Sequence, residues 1–425
     1  VLCAEELPLP DLAADYGTPL YVYSASTIRG RVRAFRAAFC GMPVRLCYAV
    51  KANPNLAILR LVAREGMGAD TVSGGEIERA LAAGVPPEQI VFAGVGKTDE
   101  EIVLGLKAGI LQFNVESHEE LERIAALAAA CGRVAPVAFR VNPDIAAPTH
   151  GKISTGRRSD KFGIAIEEIP QAVARARALP TVEPVGLHLH IGSQITDLAP
   201  LAAAWQQLRE LFCALAAKGV PLRRLDLGGG FGVRYRDEQS LEPEAVAQTA
   251  RRLFAGLGAE LIFEPGRAIV AEAGVLVTRV IGTKQAGGRR LIVVDAGMHV
   301  LLRPALYDAW HEIVPVRQRQ PHQPTCPTDV VGPICESSDV LGRNRDLPLL
   351  ERGELLAILT TGAYGATMRN DYNSRPRPAE VLVEGPRAAV VRPRRQPREL
   401  FAEETVPEWL NGSAPGGCRV TRRDP

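Results

Sequence analysis

Lys51 closes the apolar run Cys47–Val50. A lysine amine at the end of a buried strand is a candidate nucleophile toward a carbonyl, because desolvation lowers its pKa and frees the lone pair. Further along, His188 and His190 alternate with Leu189 and Ile191, so an extended backbone puts both imidazoles on one face. A flat imidazole at a strand end can stack on a planar ring. A metal reading would need a nearby carboxylate; the chain has no HExxH and few other histidines to complete a site, so no metal is expected. Gly228–Gly230 form an uninterrupted glycine run, and Glu264-Pro265-Gly266-Arg267 follows an apolar stretch. Glycines expose backbone N–H groups to an anion, and an arginine adds charge to the same task. Taken singly, each of these has a plainer reading: a solvated lysine, a hydrogen-bonded core histidine, a tight turn, a salt bridge between Glu264 and Arg267. The chemistry requires a fold that gathers them.

The pattern around these residues supplies one. Short apolar runs at Leu46–Ala52, Ala69–Ser73, Ile90–Gly94, Gln112–Glu116, Val137–Asn142, Val185–Ser193, Arg224–Gly230 and Leu261–Gly266 alternate with helical segments such as Gly75–Ala83 and His118–Ala130. Eight such units predict an α/β fold, a closed (β/α)8 TIM-type barrel, over an open doubly wound sheet, since no GxGxxG opens the first unit. After Glu264 the segments Val275–Ile281, Leu291–Val294, Val330–Val331, Leu355–Leu359 and Glu380–Val383 predict a β-rich sandwich or barrel domain, and the strand Leu20–Tyr23 could pair with it. The expected division is a barrel at 25–270 and a β domain of 1–24 plus 271–425. The Arg- and Pro-rich stretch Arg387–Arg398 reads as a solvated edge strand and tail.

In such a barrel the active site lies at the carboxyl ends of the strands, and phosphate is often held by the loops after strands seven and eight. Lys51 then ends strand one, the histidines strand six, the glycine run strand seven and Glu264 strand eight. A carboxylate beside a pyridine nitrogen keeps the ring protonated and a better electron sink. An amine, a stacking imidazole, phosphate donors and that carboxylate together describe a pyridoxal 5'-phosphate site.

Composition narrows the rest. A net charge of +2 on 425 residues offers no general field for nucleic acid. The most apolar helical window, Leu198–Val220, carries Gln206, Gln207, Arg209, Glu210 and Lys218, which suits an amphipathic helix and not a membrane span. Eight cysteines without a CxxC predict reduced thiols, and with no secretory pattern the cytoplasm is the expected compartment.

Several motifs in order resemble the alanine-racemase-fold (fold type III) pyridoxal phosphate decarboxylases, above all the diaminopimelate decarboxylase family. They are Tyr48–Asn53, Val72–Glu76, His190–Gln194, Gly228–Gly230, Glu264–Arg267, Arg303–Tyr307, Cys335–Asp339 and Gly362–Gly365. The resemblance implies a (β/α)8 barrel plus a β domain, and a carboxy-lyase that converts meso-diaminopimelate to L-lysine and carbon dioxide, the last step of lysine biosynthesis. It implies that Lys51 carries the Schiff base and Cys335 is the general acid. The cofactor set it suggests is Lys51, Asp70, His190, Ser193, Gly228, Gly229, Gly230, Glu264, Gly266, Arg267 and Tyr364. It further implies a homodimer whose sites are shared between subunits. Nothing is carried over to the tail after Trp409.

Substrate choice rests on the far end of the amino acid. Arg267 and Arg303 suit a second carboxylate, since guanidinium forks bind carboxylates bidentately. Glu336 suits a second amine, and Tyr307 and Tyr364 complete the substrate set. An ornithine or arginine decarboxylase is the alternative. A racemase would favour a weakly polarising partner such as Arg at the ring nitrogen, and a non-catalytic carrier has no need of Cys335, Arg303 or Glu336.

Overall fold

The computed structural model describes residues 1–145, 155–156, 160–318 and 323–410. Strand β1, Leu20–Ser24, precedes the barrel. The barrel strands are β2 (Val44–Ala49), β3 (Gly68–Thr71), β4 (Ile90–Phe92), β5 (Gln112–Val115), β6 (Ala135–Asn142), β7 (Val182–His188), β8 (Arg224–Asp226) and β9 (Glu260–Phe263). All eight pair in parallel, and the pairing of β6 with β7 and of β9 with β2 closes the cylinder. The TIM-type reading holds.

The helices between them form where the sequence supplies both a start and an apolar face. The helix His118–Ala130 is capped by Ser117, whose side chain accepts from Glu120 N, and it buries Leu121, Ile124, Ala125 and Ala128 at helical spacing. Leu198–Ala217 does the same with Leu201, Ala204, Trp205, Leu208, Phe212 and Leu215 inward, as an amphipathic helix should. Among the described residues no helix is long and apolar enough to cross a membrane.

The β-rich part contains β10 (Gly274–Ala286), β11 (Arg289–Val294), β12 (Ile313–Pro315), β13 (Thr325–Val331), β14 (Val340–Pro348), β15 (Leu355–Ile358), β16 (Ala379–Glu384) and β17 (Arg387–Arg392). Strand β1 lies between β10, antiparallel, and β16, parallel, so the N-terminal strand does join the later sheet. Arg387–Arg392 is the edge beyond β16, which matches the edge-strand expectation. Strands β12 and β14 were not anticipated. The run Val340–Pro348 reads Val-Leu-Gly-Arg-Asn-Arg-Asp-Leu-Pro, whose charged middle hides the strand, yet it pairs antiparallel along β13.

The predicted barrel strands extend too far at their carboxyl ends. Val50–Ala52 is a 3-10 turn, not strand, and Ser73 caps a helix by accepting from Glu76 N. The sixth strand stops at His188, the seventh at Asp226 and the eighth at Phe263, not at Ser193, Gly230 and Gly266. Apolar character continues past several of these points because residues outside the ladders, such as Val50, Ala52, Leu189, Ile191 and Leu227, are buried as well. The seven described cysteines are all free thiols, while Cys418 lies outside the described residues.

Candidate active site

Lys51 sits on the turn that leaves β2, and its Nζ donates to Asp70 Oδ2 at 2.7 Å. Asp70, in β3, is fully buried. Sequence reasoning expected desolvation to lower the lysine. Burial does pull it down, but the Asp70 and Glu264 carboxylates outweigh burial and hold Lys51 above the usual lysine range. Asp70 is itself raised to about 6, because burial and the charge of Glu264 exceed the attraction of Lys51.

His188 ends β7, and His190 follows two residues later, beyond the end of the strand, where it lines the same cavity as Glu264. His188 Nε2 lies 3.6 Å from Glu264 Oε2, and His190 Nδ1 accepts from Gly229 N at 3.3 Å. Burial, followed by the positive charge of Lys51 and Arg140, holds His190 well below the usual imidazole range, so it is neutral at pH 7. Glu264 goes the other way. Burial raises it, yet His188 and Lys51 together bring it down to about 2. Its Oε1 is buried without a hydrogen-bond partner among the described residues.

The three glycines are needed first by packing. A Cβ on Gly229 would lie 2.1 Å from Glu264 O, and one on Gly230, whose φ is +91°, would lie 2.2 Å from Gly192 O. Two of the three amides are engaged internally: Gly228 N donates to Asp226 Oδ1, and Gly229 N to His190. Only Gly230 of the run lines the cavity, beside Lys51, His190, Ser193, Glu264 and Tyr364. Gly266 and Arg267 border it too, and its volume is about 180 Å³.

At the border of this cavity two guanidiniums are buried together. Arg267 donates to Tyr235 Oη at 2.7 Å and to Ser193 Oγ at 3.0 Å, with its charge 4.7 Å from the Tyr364 ring centroid. Arg303 lies 4.5 Å from the Tyr235 ring and 2.7 Å from His311 Nε2. Neither arginine pairs with a carboxylate among the described residues, and the Nε of each is buried without a partner. Tyr307 is within electrostatic range of both. The structure therefore gathers Lys51, Asp70, His190, Ser193, Gly230, Glu264, Gly266, Arg267 and Tyr364, with Arg303 adjoining.

Cys335 and Glu336 are not brought there. They occupy an exposed loop, where Cys335 N donates to Asn373 Oδ1 at 2.9 Å and Ser338 Oγ to Glu336 Oε2 at 3.3 Å. Sequence reasoning missed Asp226, Tyr235 and His311. Asp226 carries the same signal as Lys51, a charged side chain at the end of a buried strand, and could have been found by it. With His188 and Glu264 it forms a buried trio whose donor atoms lie within 4.8 Å of one another, close enough for a cation, which the weighing of the histidine pair alone overlooked. His311 is buried and holds Arg303 while its Nδ1 faces Leu359 O at 2.9 Å.

The family model described as "Pyridoxal-dependent decarboxylase, pyridoxal binding domain" matches residues 25–271. A diaminopimelate decarboxylase of Zymomonas mobilis is 48% identical over 414 residues, covering 96% of this chain and 98% of its own. One from Vibrio cholerae is 49% identical over 406 residues, covering 95% and 97%. The chain belongs to the diaminopimelate decarboxylase family. The crystal structure of the Helicobacter pylori diaminopimelate decarboxylase complexed with L-lysine superposes with a TM-score of 0.90 at 42% identity, covering 93% of this chain and 99% of that one. Such agreement extends over the barrel and the β-rich part alike.

His311 also gives a test of the site's electrostatics. Burial, with Arg303 next, depresses it to about 3. A histidine depressed in the folded chain lends stability that is present above the unfolded value of about 6.5 and is lost as pH falls toward the folded value. Relative to His311→Asn, the unmodified chain is expected to lose about 2 kcal/mol of unfolding free energy between about pH 6.5 and pH 4.5. Urea titrations of both proteins check this, and parallel pH curves would refute it.

Proposed function

We propose that this chain decarboxylates meso-diaminopimelate to L-lysine and carbon dioxide with bound pyridoxal phosphate, each site being completed by a second copy of the chain. The observation that carries the choice of substrate is the pair of buried guanidiniums, Arg267 and Arg303, without a carboxylate of their own among the described residues. A dicarboxylic amino acid would supply the missing charge.

The residues fit the cofactor. Glu264 Oε1 is an acceptor without a partner among the described residues, suited to a pyridinium N–H, and Lys51 is the one amine on the cavity among the described residues. When bound, pyridoxal phosphate supplies a conjugated ring that takes up the electron pair left on the α-carbon as carbon dioxide departs. Lys51 would hold its aldehyde carbon, Glu264 its ring nitrogen and neutral His190 its ring face. Ser193, Gly230, Gly266 and Tyr364 would hold its phosphate, while Gly228 and Gly229 shape the loop more than they donate. Lys51 must shed a proton before its amine can attack, and Asp70 Oδ2 at 2.7 Å is placed to take it. Arg303 and Arg267 would bind the distal carboxylate, with Tyr307 beside them. Cys335 would return a proton to the α-carbon and Glu336 would meet the distal amine. Both sit on an exposed loop away from their own chain's cavity, as a contribution to a partner's site requires. The division into a barrel of 25–270 and a β domain of 1–24 plus 271–425 belongs to this reading.

A product assay with meso-diaminopimelate tests the proposal. Arg303→Ala should lower kcat/KM for it by about 100-fold, the loss expected when one member of a buried charged pair is truncated. Ornithine should be a poor substrate, because its ammonium would meet Arg303 with like charge. Comparable kcat/KM values for the two substrates in the unmodified enzyme would sink this account of the pocket.

A further inference from the structure

We infer that Asp226 is a neutral carboxyl group which donates a hydrogen bond to Glu264, and that it thereby acts as a positioning residue holding Glu264 ionised and aimed at the cavity. The inference deepens the proposed function, since it rests on the reading that Glu264 serves the cofactor's ring.

Register places the two acids together. Asp226 on β8 is opposite His188 on β7 and opposite Ile262 on β9. Glu264 follows Ile262 by two residues, so it projects to the same side of the barrel wall as Asp226. The carboxylates and the imidazole lie within 4.8 Å of one another, and their exposures are 0% for Asp226, 4% for Glu264 and 1% for His188. Two carboxyl groups this close and this dry do not both ionise at neutral pH; one keeps a proton and gives a hydrogen bond to the other.

The surroundings decide which one. Glu264 faces His188 at 3.6 Å, and Lys51 and His190 lie across the same cavity. Asp226 accepts its hydrogen bonds from two neutral amides, Gly228 N at 3.1 Å and Asn114 Nδ2 at 3.2 Å. The buried thiol of Cys47 on β2 is within electrostatic range of it, and Asp70 on β3 adds a further negative field. His188 is within 4.8 Å of both acids, so the difference lies with Lys51, which lines the cavity with Glu264 and not with Asp226. The acidities follow the same pattern: burial and then Glu264 push Asp226 well above the carboxyl range, while Glu264 is brought down to about 2. A cation held by the same trio would need both acids ionised, so the proton assignment and a metal site exclude one another.

Infrared difference spectroscopy of the full chain, unmodified against Asp226→Asn, locates the proton. At pH 7 the unmodified chain should show the carbonyl stretch of a protonated, buried carboxyl group that Asp226→Asn lacks. Because asparagine keeps an N–H donor toward Glu264, Asp226→Asn should hold the cofactor's dissociation constant within about fivefold and leave the pH dependence of its absorption band unmoved. Asp226→Leu, which removes the donor, should weaken binding more than about fivefold, in line with the cost of an unmet buried acceptor. Absence of the infrared band at pH 7 would overturn the inference. So would a loss in Asp226→Asn as large as that in Asp226→Leu, which would mean that charge and not hydrogen bonding is what Asp226 supplies. If Asp226→Leu does not fold, the infrared and asparagine measurements decide alone. The infrared measurement is made without cofactor, so it tests the proton and not the cofactor reading; failure of the unmodified chain to bind pyridoxal phosphate would instead count against the latter.

Discussion

Replacing Lys51 by alanine is expected to abolish the visible absorption band of bound pyridoxal phosphate, and decarboxylation with it. The expectation follows from the inventory of amines. Among the described residues Lys51 alone contributes an amino group to the cavity wall, and the buried Lys97 is committed to Glu120 Oε1 at 2.6 Å and to the Gly94 and Asn114 carbonyls at 2.8 Å each. The other described lysines, Lys107, Lys161, Lys218 and Lys284, are exposed, and none of them lines the cavity. Alanine also strips Asp70 of its ammonium partner, but Asp70 is already weakly acidic at about 6 and is left beside Glu264, so it can take up a proton instead of remaining a buried lone charge. The variant should therefore fold, and the loss should be chemical. Borohydride reduction of the unmodified protein followed by peptide mapping provides the positive test, with the label expected on Lys51. A label on any other lysine would overturn the assignment.

How much of this was legible in the sequence depends on how local the signal is. The helix His118–Ala130 could be bounded to the residue because a cap, an acidic first turn and an apolar stripe all lie within it. The uptake of Leu20–Ser24 into the later sheet was readable as a possibility only, since its partners Gly274–Ala286 and Ala379–Glu384 lie more than 250 residues away and are matched by packing. The ends of the barrel strands were misjudged for a related reason. Hydrophobicity marks burial, and in this fold the loops over the barrel mouth are buried as well, so the apolar runs outlast the hydrogen-bonded ladders. The direction of the Lys51 shift was misread because desolvation can be inferred from a run of apolar neighbours, whereas Asp70 and Glu264 come from two other strands. His311 went unnoticed although it is only eight residues beyond Arg303; its role depends on a turn that folds it back onto the guanidinium.

The exposed position of Cys335 leads to the second large effect. If Cys335 serves the cavity of a partner chain, then Lys51→Ala and Cys335→Ala chains, each inactive alone, should restore activity when unfolded and refolded together. At equal amounts random pairing in a two-fold dimer makes about half the dimers mixed. In a mixed dimer one site joins the Lys51→Ala cavity to the Cys335→Ala loop and carries both defects, while the other joins an intact cavity to an intact loop. Half the dimers thus regain one of two sites, and activity should recover to about a quarter of the unmodified level. The geometry makes the alternative easy to distinguish. For a chain to complete its own site, the loop that Asn373 fastens at Cys335 N would have to leave the surface and reach the Lys51 cavity of the same chain. Every site would then keep one defect whatever its partner, and mixing would yield no more than the average of the two variants measured separately. That result, with mixed dimers confirmed by mass, would refute the shared site and leave the roles of Lys51, Glu264 and His190 untouched.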